Sequence, residues 1–373
     1  MTMRRLSPLT TVTGLLSFVL VGASQALYGP ALPGLTQTFH LQPGAAGMMM
    51  SVHNAGAVLG VLSAVPLAGR AVARWRVGVA FALLGLGSLT VGAGFSWALT
   101  LVGGLVIGLG FGVLVGSING MFAVGYGRRS PAMLNLLNAV FGVGAILSPL
   151  LFLLDFAEWN TPFFILAAFA AIMVPLGLMT DDRLPMADTH ELPARKKRNA
   201  VLAFMVLLGL GVAVEASTVA YATSYLITKG VALDRATTAT SLFFLLFTFG
   251  RLAAIPLSLR LKPYQIVFGS LLMTTALLLA SNVTSFAPIA VVLLGTSIAV
   301  YFPNSFNWAN ATFGAGGSTP YIMAGALLGG ALGPALVAQI VPLTSEGAIM
   351  GIIAAIGVLA LLTAVWIKLR IAA

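Results

Sequence analysis

The sequence predicts an all-α membrane protein, with twelve transmembrane helices in two pseudo-symmetric six-helix bundles. Three observations point there. Of 373 residues, 59% are apolar and only 8% charged, and 19 Lys and Arg with 9 Asp and Glu are too few to coat a water-soluble globule of this size. The apolar residues fall into twelve runs, each near the roughly 20 residues a helix needs to cross the hydrocarbon core. Part of the first half of the chain also recurs, loosely, in the second.

The predicted spans are 8–35, 43–69, 76–95, 97–124, 131–154, 161–179, 199–228, 235–258, 264–283, 285–311, 318–342 and 347–368. The first has the outline of a secretory signal, because Arg4 and Arg5 precede an apolar run ending near Ala23-Ser24-Gln25-Ala26. Hydrophobicity continues through Pro33, so an uncleaved first helix is the more economical reading. Pro30, Pro33, Pro149, Pro303 and Pro334 are expected to bend or interrupt helices. Gly103, Gly104, Gly108, Gly110, Gly112 and Gly116 in the fourth span are expected to let neighbouring helices approach closely.

Charge orients the spans. Alternate loops carry Arg4 and Arg5, then Arg70, Arg74 and Arg76, then Arg128 and Arg129, the basic residues of the 180–198 loop, Arg260 and Lys262, and Lys368 and Arg370. The opposite loops carry only Lys229 and Arg235. The positive-inside bias thus places both termini in the cytoplasm and the chain in a cytoplasmic (inner) membrane.

The repeat supports two equal halves. Gly60–Arg70 (GVLSAVPLAGR) aligns without gaps on Gly250–Arg260 (GRLAAIPLSLR), and Gly144–Pro149 (GAILSP) meets Gly329–Pro334 (GGALGP). The expected organisation is an N-terminal six-helix half over 1–180, a charged cytoplasmic linker over 181–198 and a C-terminal six-helix half over 199–373. Six-plus-six repeats are a transporter architecture, built to expose a central site alternately on each side of the membrane.

Other function classes find little footing. The basic residues form no stripe of the kind a phosphate backbone needs, so nucleic acid is not an expected partner. With no Cys, thiolate nucleophiles, disulfides and Cys-ligated metals are excluded. There is no Walker A sequence and no Gly-x-Ser-x-Gly, and His190-Glu191 lacks a second His four residues after the first. No enzyme activity, cofactor or metal is expected; the expected partners are a small-molecule substrate, a proton or sodium ion, and the lipid bilayer, with the protein a monomer.

Val300–Leu336 (VYFPNSFNWANATFGAGGSTPYIMAGALLGGALGPAL) resembles the tenth and eleventh helices of fucose permease-like sugar transporters, a branch of the major facilitator superfamily. Asn135–Leu150 (NLLNAVFGVGAILSPL) is similar to the fifth helix of that group, and Gly211–Leu226 (GVAVEASTVAYATSYL) to the seventh. The superfamily's loop signature after the second helix survives only as basic residues, with Gly69 where Asp is usual. The resemblance implies the major facilitator fold and a secondary active or facilitative transporter of a small neutral polar solute, a sugar first. The alternative is a proton-driven multidrug or metabolite exporter of the same superfamily. In proton-coupled fucose permeases one carboxylate lies in the first helix and one in the fourth; here those places fall near Gly29 and Val115, neither of which titrates.

Sugar recognition needs amides and hydroxyls on aromatic-lined walls. The candidate substrate-binding residues are Gln25, Tyr28, Asn54, Asn119, Asn135, Asn138, Glu215, Tyr221, Asn304, Asn307 and Trp308. Asn304, Asn307 and Trp308 stand at i, i+3 and i+4 and so share a helix face; an interhelical hydrogen bond is the competing reading for each lone Asn. Glu215 is the only acidic residue deep in a predicted span, and an ionised carboxylate there needs a wet cavity or a partner. Glu215 and His53 are the proton-coupling candidates, with packing the competing role for His53. Arg70 and Arg251 are candidates for a gate or a structural role. Counting the helical rise puts Arg251 roughly 12 Å closer to the cytoplasm than Glu215, so no direct pair between them is expected.

Overall fold

The computed structural model of the chain describes residues 6–41, 48–63, 73–151, 158–181, 194–313 and 318–371. Among these the protein is α-helical with a few short 3₁₀ turns and no strand. Eleven helical stretches are long and apolar enough to cross a membrane, and Met48–Ser63 is a twelfth, shorter apolar helix. The chain separates into two compact units, Met1–Ser130 with Leu137–Met186, and Pro131–Leu136 with Ala187–Ala373. Arg70, part of the second predicted span and most of the charged 181–198 segment lie outside the described residues.

The first unit holds α1 (Pro8–Ala26), α2 (Tyr28–Thr38), α3 (Met48–Ser63), α4 (Ala73–Ala93), α5 (Trp97–Gly125), α6 (Ser130–Leu150, of which Pro131–Leu136 group with the second unit) and α7 (Thr161–Leu178). The second holds α8 (Ala194–Thr228), α9 (Leu233–Arg260), α10 (Pro263–Ala280), α11 (Ala287–Ala299), α12 (Tyr301–Phe313), α13 (Thr319–Ile340) and α14 (Ile349–Arg370). At 29 residues α5 is about 43 Å long, more than the hydrocarbon thickness. The expected first and tenth spans are each two helices. Pro30 cannot donate to Ala26, four residues back, and α1 ends at Ala26; Pro303 cannot donate to Ala299, and α11 ends there. Pro334 behaves differently, since α13 runs through it to Ile340.

Helix ends are tied by side chains. Ser7 Oγ accepts from the Thr10 amide at the start of α1, and Ser96 Oγ from the Leu99 amide at the start of α5. Asn160 Nδ2 donates to the Gly92 carbonyl at 3.0 Å, fastening the start of α7 to the end of α4. Below α1, the Ser7 amide donates to Asp181 Oδ2 at 2.7 Å, and the Asp181 amide donates to Thr10 Oγ1 at 2.9 Å. A carboxylate there also faces the positive end of the α1 dipole.

Within a bilayer, apolar side chains gain little by leaving lipid, so close packing holds the helices together. In the first unit α3 and α5 meet through glycines from both sides. A Cβ on Gly108 would overlap the His53 carbonyl oxygen, one on Gly112 that of Ala57, one on Gly56 that of Leu105 and one on Gly60 that of Leu109. The backbones touch, and no larger residue fits at this crossing.

Each unit pairs its helices in the same order. In the first, α5 packs on α3 and α4, α4 on α7, and α1 on α5 and α7; in the second, α11 packs on α9 and α10, α10 on α14, and α8 on α12 and α14. Glycine crossings correspond as well. Gly22 and Gly144 join α1 to α6, while Gly209, Gly329 and Gly333 join α8 to α13. This is the pseudo-symmetry of a duplicated six-helix bundle.

Candidate functional site

The candidate residues are grouped by the unit that carries them. In the first unit α2 begins with Tyr28, whose hydroxyl lies 3.0 Å from His53 Nδ1 on α3. Both side chains are buried. The His53 ring meets Tyr28 edge-on at 5.2 Å between centroids and Phe111 of α5 at 4.9 Å; Phe163 of α7 lies 6.2 Å from the Tyr28 ring. His53 Nε2 is buried with no hydrogen-bond partner. Gln25 and Asn54 are half-buried nearby in sequence, on α1 and α3. Asn119 of α5 is buried, donates back to the Val115 carbonyl at 2.9 Å, and leaves its Oδ1 without a partner. Asn138 of α6 is buried and partnered.

In the second unit, Glu215 of α8 and Arg251 of α9 form an ion pair, with Oε1 and Nη2 3.9 Å apart. This corrects the expectation that the two stand too far apart. Counting along straight helix axes ignores helix tilt and the length of the two side chains, and Arg in particular can carry its charge several ångströms from its own Cα. The pair is mostly out of solvent, at 5% exposure for the Arg side chain and 23% for the Glu. The Arg251 guanidinium also covers the Phe247 ring, 4.2 Å from its centroid, a second favourable contact for a charge held among apolar helices. The pair therefore adds no net charge to the interior of the unit.

Helix α12 carries the densest run of amides. Asn304 is buried and donates to the Val300 carbonyl at 2.7 Å and to Asn135 Oδ1 at 3.4 Å, while Asn135 donates to the Pro131 carbonyl at 2.9 Å. Asn304 Oδ1, Asn307 Nδ2 and both polar atoms of Asn310 are buried without a partner, and the Ser305 hydroxyl beside them faces that of Tyr301. A buried unpaired polar atom costs about 1–3 kcal/mol, so four on two turns of one helix make this face a candidate to meet a polar solute. Asn310 and Ser305 escaped the sequence reading. The signal was present, since Asn310 continues the three-residue spacing of Asn304 and Asn307.

Trp308 and Tyr221 are placed in packing and bracing contacts. Trp308 is buried, edge-on to Phe204 at 5.3 Å and 6.1 Å from both Tyr264 and Phe268. Tyr221 of α8 donates to the Pro334 carbonyl on α13 at 3.0 Å. No group of His, Asp and Glu among the described residues could hold a metal ion.

Comparison with known proteins gives the fold its name. The Major Facilitator Superfamily profile matches residues 14–320. Three similar solved structures illustrate the range of relatives sharing this architecture. The fucose:proton symporter FucP of E. coli is 20% identical, with a TM-score of 0.78 over 95% of this chain and 98% of that one. The proton:xylose symporter XylE is 14% identical, with a TM-score of 0.75 over 97% and 95%. The human organic anion transporter MFSD10 is 16% identical, with a TM-score of 0.74 over 96% and 100%. No curated protein sequence matches. Two sugar symporters and an organic anion carrier share this architecture, so the fold does not choose the solute.

Proposed function

The chain belongs to the major facilitator superfamily and is a multi-pass membrane transporter rather than an enzyme, and from the chemistry of its interior we propose that it carries a small neutral polar solute, a sugar or similar polyol, by alternating access. The run of unfilled amide groups on α12 carries this reading. Those groups offer both donors and acceptors and no charge, which is the complement of a polyhydroxylated molecule. An anion would need a fixed positive partner, and a cation a negative one. The one acidic side chain deep in the spans, Glu215, is already engaged by Arg251. A solute hydroxyl that meets Asn307 Nδ2 or Asn310 would relieve the desolvation penalty these atoms otherwise carry. The fucose and xylose symporters that share this fold carry sugars, which supports the reading.

A thermal-shift screen of the purified protein against neutral sugars, organic acids and lipophilic cations tests the assignment, because a ligand that binds the folded state raises its melting temperature. Stabilisation by one or more neutral sugars is expected. Stabilisation by acids or cations alone would overturn it.

A further inference from the structure

We propose that the second unit holds an anionic phospholipid against α8, with an acyl chain in an apolar groove walled by α13 and α14 and its phosphate on Arg198 and Arg370. The site is separate from the amide face of α12 and does not depend on which solute is carried.

The groove follows from how the helices meet. A Cβ on Gly329 of α13 would overlap the Gly209 carbonyl oxygen of α8, and one on Gly333 would overlap Ala213. So close a crossing leaves little side chain to fill the space beside it. Two hollows of about 610 and 680 Å³ lie there; they share Val206 and Leu359 and together follow α8 from Asn199 to Ala213. That stretch is about 21 Å long at 1.5 Å per residue, the depth of one leaflet with its headgroups, or half of the roughly 40–45 Å of a whole bilayer. Leu202 and Val206 of α8, Leu332 and Leu336 of α13, and Leu359 and Leu362 of α14 are exposed along it. Such a surface is as apolar as the lipid tails it meets.

One end of the groove is basic. Asn199 and Leu202 share their hollow with Thr363 and Trp366, so the start of α8 lies beside the end of α14. Arg198 stands one turn before Leu202 and Arg370 one turn after Trp366, and both are exposed. The first turn of α8 carries Arg195, Lys196, Lys197 and Arg198 with no acidic residue, and the last turn of α14 carries Lys368 and Arg370. Lys368 lies over the Tyr264 ring of α10, 4.7 Å from its centroid, which leaves Arg370 to continue the line of the groove.

These groups match the order of parts in a phospholipid. The guanidinium fork pairs two nitrogens with two phosphate oxygens. Trp366, exposed on the wall one turn from Arg370, has the amphipathic ring that belongs at headgroup level. Below it the groove is apolar. A zwitterionic headgroup would bring an ammonium into the same positive field, whereas an anionic one adds no cation, so the charge selects the anionic lipid. Each basic residue near such a surface strengthens the attraction by about fivefold. On the orientation that the charge bias predicts, the site opens to the cytoplasmic leaflet.

Phosphatidylglycerol with a photoreactive diazirine in its acyl chain tests this. The full chain is reconstituted in phosphatidylcholine vesicles containing a trace of the probe and illuminated, and the labelled peptides are identified by mass spectrometry. Labels are expected on the groove faces of α8, α13 and α14, displaced by unlabelled phosphatidylglycerol but not by added phosphatidylcholine or inorganic phosphate. Arg198→Gln with Arg370→Gln is expected to lower groove labelling at least tenfold. Arg128→Gln with Arg129→Gln removes the same charge from an exposed turn of the first unit and is expected to leave it unchanged. Labels spread evenly over all spans, equal displacement by phosphatidylcholine, displacement by inorganic phosphate, or equal loss in the two double variants would overturn the proposal. An unlabelled groove in a chain that migrates as a dimer would overturn it too, giving the groove to a second copy.

Discussion

At the scale of single residues, the account turns on which polar groups are already satisfied. Glu215 and Arg251 oppose one another's charge at 3.9 Å, so Glu215→Gln acts first on the guanidinium that faces it. Removing one member of a buried pair costs about 3–5 kcal/mol, whereas replacing both by apolar side chains of similar volume is often close to neutral. Thermal unfolding of Glu215→Gln is therefore expected to show a clear loss of stability, with Glu215→Leu combined with Arg251→Met recovering most of it. If the double variant is as unstable as the sum of the single ones, the two residues do not act as a pair. Asn307 is the opposite case, with a buried donor and no protein partner. Asn307→Leu is expected to leave expression unchanged and weaken solute binding by about 1–3 kcal/mol. Titration of the sugar found by the thermal screen measures this, and unchanged affinity would return Asn307 to packing. The amide run on α12 was legible in the sequence because its spacing is local. The Glu215–Arg251 and Tyr28–His53 contacts were not, since each joins separate helices through side-chain reach that spacing along one chain does not encode.

At the scale of helices, small residues decide where backbones touch. Gly112 and Gly120 both lie on α5, yet a Cβ on Gly112 would overlap the Ala57 carbonyl of α3, while one on Gly120 meets nothing within 4 Å. Gly112→Ala is expected to lower the melting temperature, and Gly120→Ala to leave it unchanged or raise it, since Ala is about 1 kcal/mol better than Gly inside a helix. Equal effects of the two would contradict the α3–α5 crossing described above. Most of this level was readable in advance. Composition located the apolar helices to within a few residues at most ends, because a span must be long and apolar before it can be anything else. The prolines marked the breaks unevenly. Pro30 and Pro303 end the helix four residues before them, whereas Pro334 stays inside α13, where Tyr221 donates to its carbonyl. Whether a proline breaks a helix depends on partners supplied by neighbouring helices, and those are invisible in the sequence. Trp308 shows the same limit. Its spacing set it beside the amides, but its surroundings are Phe204, Tyr264 and Phe268.

At the scale of the whole molecule, two units with the same pairing order suit the alternating access proposed for the chain. The charge bias predicts how they lie in the membrane: a tag after Asp188 should be cytoplasmic and one between Asp155 and Asn160 external. Labelling of the Asp188 site by an impermeant reagent in intact cells would reverse that orientation. The most direct test of neutral-solute transport is counterflow in proteoliposomes made with the purified chain. Vesicles preloaded with an unlabelled neutral sugar and diluted into a trace of the labelled sugar should accumulate label transiently, above its outside concentration and without any ion gradient. Organic anions and lipophilic cations should give no such overshoot. Counterflow of an anion or cation, with none for any neutral sugar, would contradict the account.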